Sequence, residues 1–216
     1  MHKSIKNLED INKELKLEIK EDSLPNIIAV SKTFPLSEIM PLVDYGHIHF
    51  GENKVQEAIS KWTEIKVKYP TIKLHLIGKL QTNKVKYAVK LFDYLHSVDN
   101  KKLAKKISDE QIKQNKKVKI FIQVNIGSEN QKSGVLNNDL DDLFTYCKEI
   151  GLNVIGLMCI PPVDLDPTPF FKQLKNLNDT LNLSELSMGM SSDYQIAVEN
   201  FSTYLRIGSD IFGKRD

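Results

Sequence analysis

Residues 26–45 read Asn-Ile-Ile-Ala-Val-Ser-Lys-Thr-Phe-Pro-Leu-Ser-Glu-Ile-Met-Pro-Leu-Val-Asp-Tyr, one complete structural unit. The apolar run from Ile27 to Val30 has the length and β-branched content of a buried strand, and residues 36–45 have helical spacing. Lys32 stands where the strand ends. A buried strand that delivers a lysine to its carboxyl end builds a Schiff-base amine, because apolar surroundings disfavour the ammonium and leave a free amine to attack an aldehyde. A solvated lysine closing a strand is the ordinary alternative.

The same alternation recurs along the chain. Strands are predicted over residues 27–31, 48–50, 73–77, 94–98, 118–126, 153–159, 185–188 and 203–207. Helical spacing fills residues 36–45, 54–69, 82–91, 101–114, 139–150, 168–181 and 193–200. Such alternation implies right-handed βαβ units and a parallel sheet. Eight units in 216 residues point to closure: an α/β fold with a single (β/α)8 TIM-type barrel over residues 1–216 and an extra amino-terminal helix in residues 1–22. An open doubly wound sheet is the competing topology, but no Gly-x-Gly-x-x-Gly or Gly-x-x-x-x-Gly-Lys-Ser/Thr follows any strand.

Composition narrows the function classes. A formal charge of +2 is too small to argue for nucleic acid. The lysines at 101, 102, 105, 106, 113, 116, 117 and 119 punctuate an amphipathic helix and its exit without interleaved aromatics, as on a solvated face. Cys147 and Cys159 have no paired spacing, which fits a reduced cytoplasmic setting. Ile5, Leu8, Ile11 and Leu15 form a helical stripe rather than a secretory apolar stretch, and no run approaches the ~20 apolar residues that span a bilayer. A soluble monomer is expected.

The unusual polar residues fall at predicted strand ends, where barrels carry their sites. Lys32 follows the first strand, Gly51-Glu52-Asn53 ends the second, Gly78-Lys79 the third and Asn125 the fifth. Gly189-Met190-Ser191-Ser192-Asp193 follows the seventh and Gly208-Ser209 the eighth. Barrels frequently hold a phosphate on the last two loops, and Ser191, Ser192, Gly208 and Ser209 suit that task; an ordinary helix cap would use the same groups. In a closed barrel strand eight neighbours strand one, so Lys32 is expected to face Arg206 across one strand spacing of ~4.8 Å. A compact ligand with an aldehyde and a phosphate, such as pyridoxal phosphate or a sugar phosphate, would bridge the two ends. Arg206 beside a pyridine nitrogen would leave it unprotonated and weaken the electron sink, which fits holding or handing over the cofactor, or at most racemisation, better than transamination. His47 and His49 have the spacing of a barrel metal pair, with His75 and His96 on the next strands. Strands five, six and eight offer Gln123, Asn125, Cys159 and Arg206 rather than further ligands, so packed histidines are expected and no metal.

These segments resemble the pyridoxal phosphate homeostasis protein family, single-domain relatives of the alanine racemase barrel, over residues 27–215. The resemblance is carried by Ala29-Val30-Ser31-Lys32-Thr33, by Phe50-Gly51-Glu52-Asn53-Lys54-Val55-Gln56-Glu57 and by His75-Leu76-Ile77-Gly78-Lys79-Leu80-Gln81-Thr82-Asn83-Lys84. It continues through His96-Ser97-Val98-Asp99, Gln123-Val124-Asn125-Ile126, Leu186-Ser187-Met188-Gly189-Met190-Ser191 and Arg206-Ile207-Gly208-Ser209-Asp210-Ile211-Phe212-Gly213. It implies pyridoxal 5′-phosphate held on Lys32 as an internal aldimine. It also implies Asn53 near the ring, Arg206 toward the ring nitrogen, and Ser191, Ser192, Gly208 and Ser209 around the phosphate. Phe201 stands where the family usually has glycine, which puts the turn into strand eight in question.

The racemase relatives carry a second, β-rich domain with a tyrosine acid/base, and this chain ends directly after the eighth unit, so that domain is expected to be missing. The leading reading is a protein of vitamin B6 homeostasis that buffers pyridoxal phosphate with little or no turnover and passes it to apo-enzymes. The alternative is an amino-acid racemase using Tyr45, Tyr87 or Tyr194 as second base. A cofactor-free Schiff-base aldolase at Lys32 is a third. Residues 79–86, rich in lysine, offer a place for a second anion or a partner.

Overall fold

A computed structural model describes residues 1–19 and 24–213. Eight parallel strands close in sequence order: β1 (Asn26–Val30), β2 (His49–Glu52), β3 (Lys73–Leu76), β4 (Tyr94–Val98), β5 (Lys119–Val124), β6 (Asn153–Cys159), β7 (Glu185–Met190) and β8 (Tyr204–Ile207). β8 pairs with β1, which completes the barrel and excludes the open sheet. Around it lie α1 (Lys3–Glu18), α2 (Leu36–Tyr45), α3 (Val55–Lys68), α4 (Val85–Leu91), α5 (Lys101–Gln114), α6 (Leu140–Glu149), α7 (Thr168–Thr180), α8 (Tyr194–Glu199) and α9 (Ser209–Phe212). The expected first helix reached residue 22, but α1 stops at Glu18 and residues 20–22 lie outside the described ones.

Alternating side chains build two cores. Outward-facing Ala29, Phe50, Leu74, Leu95, Ile122, Leu157 and Leu205 meet the helices in one continuous layer. Inside the barrel Ile28, Tyr94, Phe121, Met158 and Tyr204 form a small separate plug. Burying each large side chain is worth ~1.5–3 kcal/mol, so the outer layer carries most of the stability. α1 lays Leu8, Ile11 and Leu15 on this layer and is tied to α9 by Asn7 Nδ2, which donates to the Ile211 carbonyl at 2.9 Å.

The turn before β8 resolves the question raised by Phe201. Its φ is +67°, the left-handed region where glycine is favoured, and its ring lies exposed beneath the Lys175 ammonium at 5.3 Å. Phenylalanine therefore occupies a glycine-type conformation here, and β8 (Tyr204–Ile207) still follows the turn.

Candidate functional site

β1 pairs with β8 so that Ile28 lies opposite Arg206. Lys32 is four residues further along, roughly 13 Å of strand rise. This corrects the expectation that the two face each other across one strand spacing. Arg206 instead rises from deep in the barrel, and Lys32 stands beyond the end of β1. Both line one open cavity of about 650 Å³ at the carboxyl ends of the strands, within the usual size of a small-molecule site. Asn53, Ser191, Ser192, Gly208 and Ser209 line the same cavity, so all seven candidate residues meet there. Among the described residues lining it, Lys32 and Arg206 have the only ionisable side chains.

Each is positioned by a local device. Lys32 is half-buried and follows Ser31, whose hydroxyl donates to Glu52 Oε1 at 2.7 Å and whose carbonyl accepts from Lys61 Nζ at 2.9 Å. Lys61 also donates to Glu57 Oε1 at 2.6 Å, and Glu57 in turn accepts the Thr33 amide, pinning the chain on the far side of Lys32. Burial raises the Glu52 carboxyl above its ordinary value, with Trp62, Ser31 and Lys61 opposing. Its Oε1 takes the Trp62 indole hydrogen at 3.1 Å, while buried Oε2 has no hydrogen-bond partner among the described residues. At Asn53 the chain just beyond β3 closes in: a Cβ on Gly78 would lie 2.4 Å from the Asn53 carbonyl oxygen, so only glycine permits the approach.

Arg206 is 4% exposed, so its guanidinium needs partners. Nη1 donates to Ser187 Oγ at 2.8 Å and Nη2 to the Cys159 carbonyl at 2.8 Å. Burial pulls the guanidinium below its ordinary value, yet an arginine remains a pure donor. Gly189, with φ +90°, turns the chain toward Ser191 and Ser192, and Ser191 Oγ accepts the Asp210 amide at 3.4 Å, joining the loops after β7 and β8.

Other candidates lie elsewhere. Tyr45 is half exposed and donates to Glu9 at 2.8 Å, Tyr87 is exposed on α4, and the Tyr194 hydroxyl lies 2.6 Å from Glu14 under α1. None of the three lines the cavity, which removes them as second bases. Residues 79–86 do not converge: Lys79 lines a smaller cavity of about 330 Å³ beside the main one, and Lys84 lines a groove between α3 and α4. His49, His75 and His96 turn their ring nitrogens toward one another. No group of three or more His, Cys, Asp or Glu able to hold a metal occurs among the described residues, and no helix there is long and apolar enough to cross a membrane. Sequence reasoning missed Ser187, Cys159, Glu57 and Lys61. The four-residue spacing of Glu57 and Lys61 and a serine inside the apolar β7 run were the available signals.

Comparison with known proteins gives a consistent picture. The family described as alanine racemase, N-terminal domain, matches residues 7–216. The pyridoxal phosphate homeostasis protein of Aquifex aeolicus is 38% identical over 218 residues, covering 96% of this chain and 95% of that protein. Its namesake from Escherichia coli K12 is 34% identical over 200 residues, covering 88% and 86%. The structure of PipY from Synechococcus elongatus with PLP bound has a TM-score of 0.86 at 33% identity, covering 97% of this chain and all of that one. An alanine racemase from Clostridium difficile, 14% identical with a TM-score of 0.72, shares the fold.

Proposed function

The chain belongs to the alanine racemase N-terminal domain family and, within it, to the pyridoxal phosphate homeostasis proteins, and on that footing we propose how its cavity serves that role. The protein binds pyridoxal 5′-phosphate and acts in its homeostasis. In the proposed reading it holds the cofactor with little or no turnover. The observation that carries the site assignment is the convergence of one amine, one buried guanidinium and three serine hydroxyls on a single cavity. That donor set fits a compact aldehyde that also carries a phosphate.

In this reading Lys32 supplies the covalent anchor. Ser191, Ser192, Ser209 and the backbone at Gly208 would hold the phosphate, and Asn53 would stand beside the ring. When bound, the cofactor supplies an aldehyde for an amine and an electron-accepting ring; an arginine at the ring nitrogen leaves that nitrogen without its proton. Arg206 is fixed by Ser187 and Cys159, so it would orient the ring without acting as an acid. Two-base racemisation needs proton donors on both faces of the substrate carbon. Lys32 would serve one face, and no other lining side chain among the described residues has a proton to exchange near neutral pH. Release to apo-enzymes by a monomeric cytoplasmic protein completes the proposal. It is supported by the open mouth of the cavity and by exposed apolar side chains that are spread over several helices and loops.

The test is to load the protein, remove free cofactor, and follow α-hydrogen exchange from a panel of amino acids in deuterium oxide. We expect retained cofactor and no exchange above a blank. Sustained exchange with any amino acid would replace the holding role with racemisation.

A further inference from the structure

The barrel interior contains buried polar groups that ligand binding does not use. His49 Nδ1 and His75 Nε2 are 2.9 Å apart, His75 Nδ1 and His96 Nε2 are 2.9 Å apart, and His96 Nδ1 lies 2.9 Å from Ser187 Oγ. Ser187 is the residue that accepts from Arg206. The result is one column from β2 through β3 and β4 to β7 and β8, ending at the cavity.

Donor counting along this column leaves one arrangement in which the buried Ser187 hydrogen has an acceptor. Arg206 has no acceptor atom, so Ser187 Oγ must accept from it. Ser187 Oγ has two partners among the described residues, Arg206 and His96, so its own hydrogen goes to His96 Nδ1. His96 then carries its hydrogen on Nε2 and donates to His75 Nδ1. His75 likewise donates from Nε2 to His49 Nδ1, and His49 keeps its hydrogen on Nε2. The reverse polarity would place two donors on Ser187 Oγ and strand its hydroxyl hydrogen in the core, a cost of about 1–3 kcal/mol. His75 and His96 are fully buried, while His49, 9% exposed, is the member that meets water. Stacking of His75 on Tyr94 at 4.1 Å and of His96 on Phe121 at 4.3 Å fixes the ring planes.

We propose that Arg206, acting through Ser187, sets a single hydrogen-bond polarity in this three-histidine column. The column in turn holds the Ser187 hydroxyl hydrogen away, so that an oxygen lone pair faces the guanidinium. His96, His75 and His49 are thus positioning residues for Arg206, although none of them lines the cavity. Their polarity does not depend on which ligand the cavity takes.

The test needs no ligand. In ¹⁵N-histidine-labelled protein at neutral pH, two-bond proton–nitrogen correlations report which ring nitrogen bears hydrogen, and single histidine substitutions assign the signals. We expect His49, His75 and His96 all to be neutral with hydrogen on Nε2. Any one of them carrying hydrogen on Nδ1, or charged, overturns the proposal. Ser187→Ala should convert the His96 and His75 signals to a mixture of both tautomers, and Ser187→Thr, which keeps the hydroxyl, should restore one. An unchanged single tautomer in Ser187→Ala would show that something other than Arg206 sets the polarity, and the proposal fails. Loss of cofactor binding with the tautomers as expected would count against the ligand reading instead.

Discussion

At the residue scale, Gly189 shows how one backbone angle supports the cavity wall. Its φ of +90° is left-handed, and a Cβ there would approach the Ala197 Cβ to 2.6 Å. Gly189→Ala combines left-handed strain of ~1–2 kcal/mol with overpacking of ~1–3 kcal/mol. The variant should lose about 2–5 kcal/mol, and calorimetry should find Tm lower by roughly 5 °C or more. An unchanged Tm would mean that the chain between β7 and α8 relaxes freely, contrary to a rigid Ser191–Ser192 lip. Arg206 was legible as a site residue from its place in strand eight. Its partners were not: Ser187 looks like any serine in a strand, and Cys159 contributes a carbonyl, which no residue identity encodes.

At the element scale, α3 does more than cover β2. Lys61 ties the Ser31 carbonyl to Glu57, with Glu52 Oε1 a further 3.4 Å contact, and its side chain is only 13% exposed. Removing one partner of such a cluster leaves charge uncompensated, at a cost of about 3–5 kcal/mol when fully buried and less here. Lys61→Met should therefore destabilise by about 2 kcal/mol in urea titrations and weaken cofactor retention, because the chain on both sides of Lys32 is released. Retention equal to wild type would separate α3 from the site. Elements with strong periodicity were read to the residue, as β4, β6, α2 and α5 show. The 3₁₀ turn at Thr82–Lys84, merged with the helix in the sequence reading, and the four-residue α9 were not. One turn of chain leaves too little periodic signal, and the offset of four residues between Lys32 and Arg206 depends on barrel shear, which no local pattern carries.

At the scale of the whole molecule, three buried histidines and the half-buried His47 make stability depend on pH. Burial lowers His47 and His49 to about 4 and drives His75 and His96 well below 6.5. The unfolded chain titrates near 6.5, so below that pH it binds protons that the folded barrel refuses. This contribution is complete above pH 6.5 and is lost as pH falls, through about 4 for His47 and His49 and further for the inner pair. Each histidine costs about 1.4 kcal/mol per pH unit in that window. The urea midpoint should fall steeply from pH 7 to pH 5, and a flat profile would show that the histidines ionise within the fold. The central claim remains that this barrel is organised around one amine. Its most direct test is the absorption spectrum of wild-type protein against Lys32→Ala after loading with pyridoxal phosphate and removal of the free cofactor. The account predicts a visible band of the lysine-bound cofactor in wild type that is absent from Lys32→Ala. The same band in both, or in neither, would contradict it.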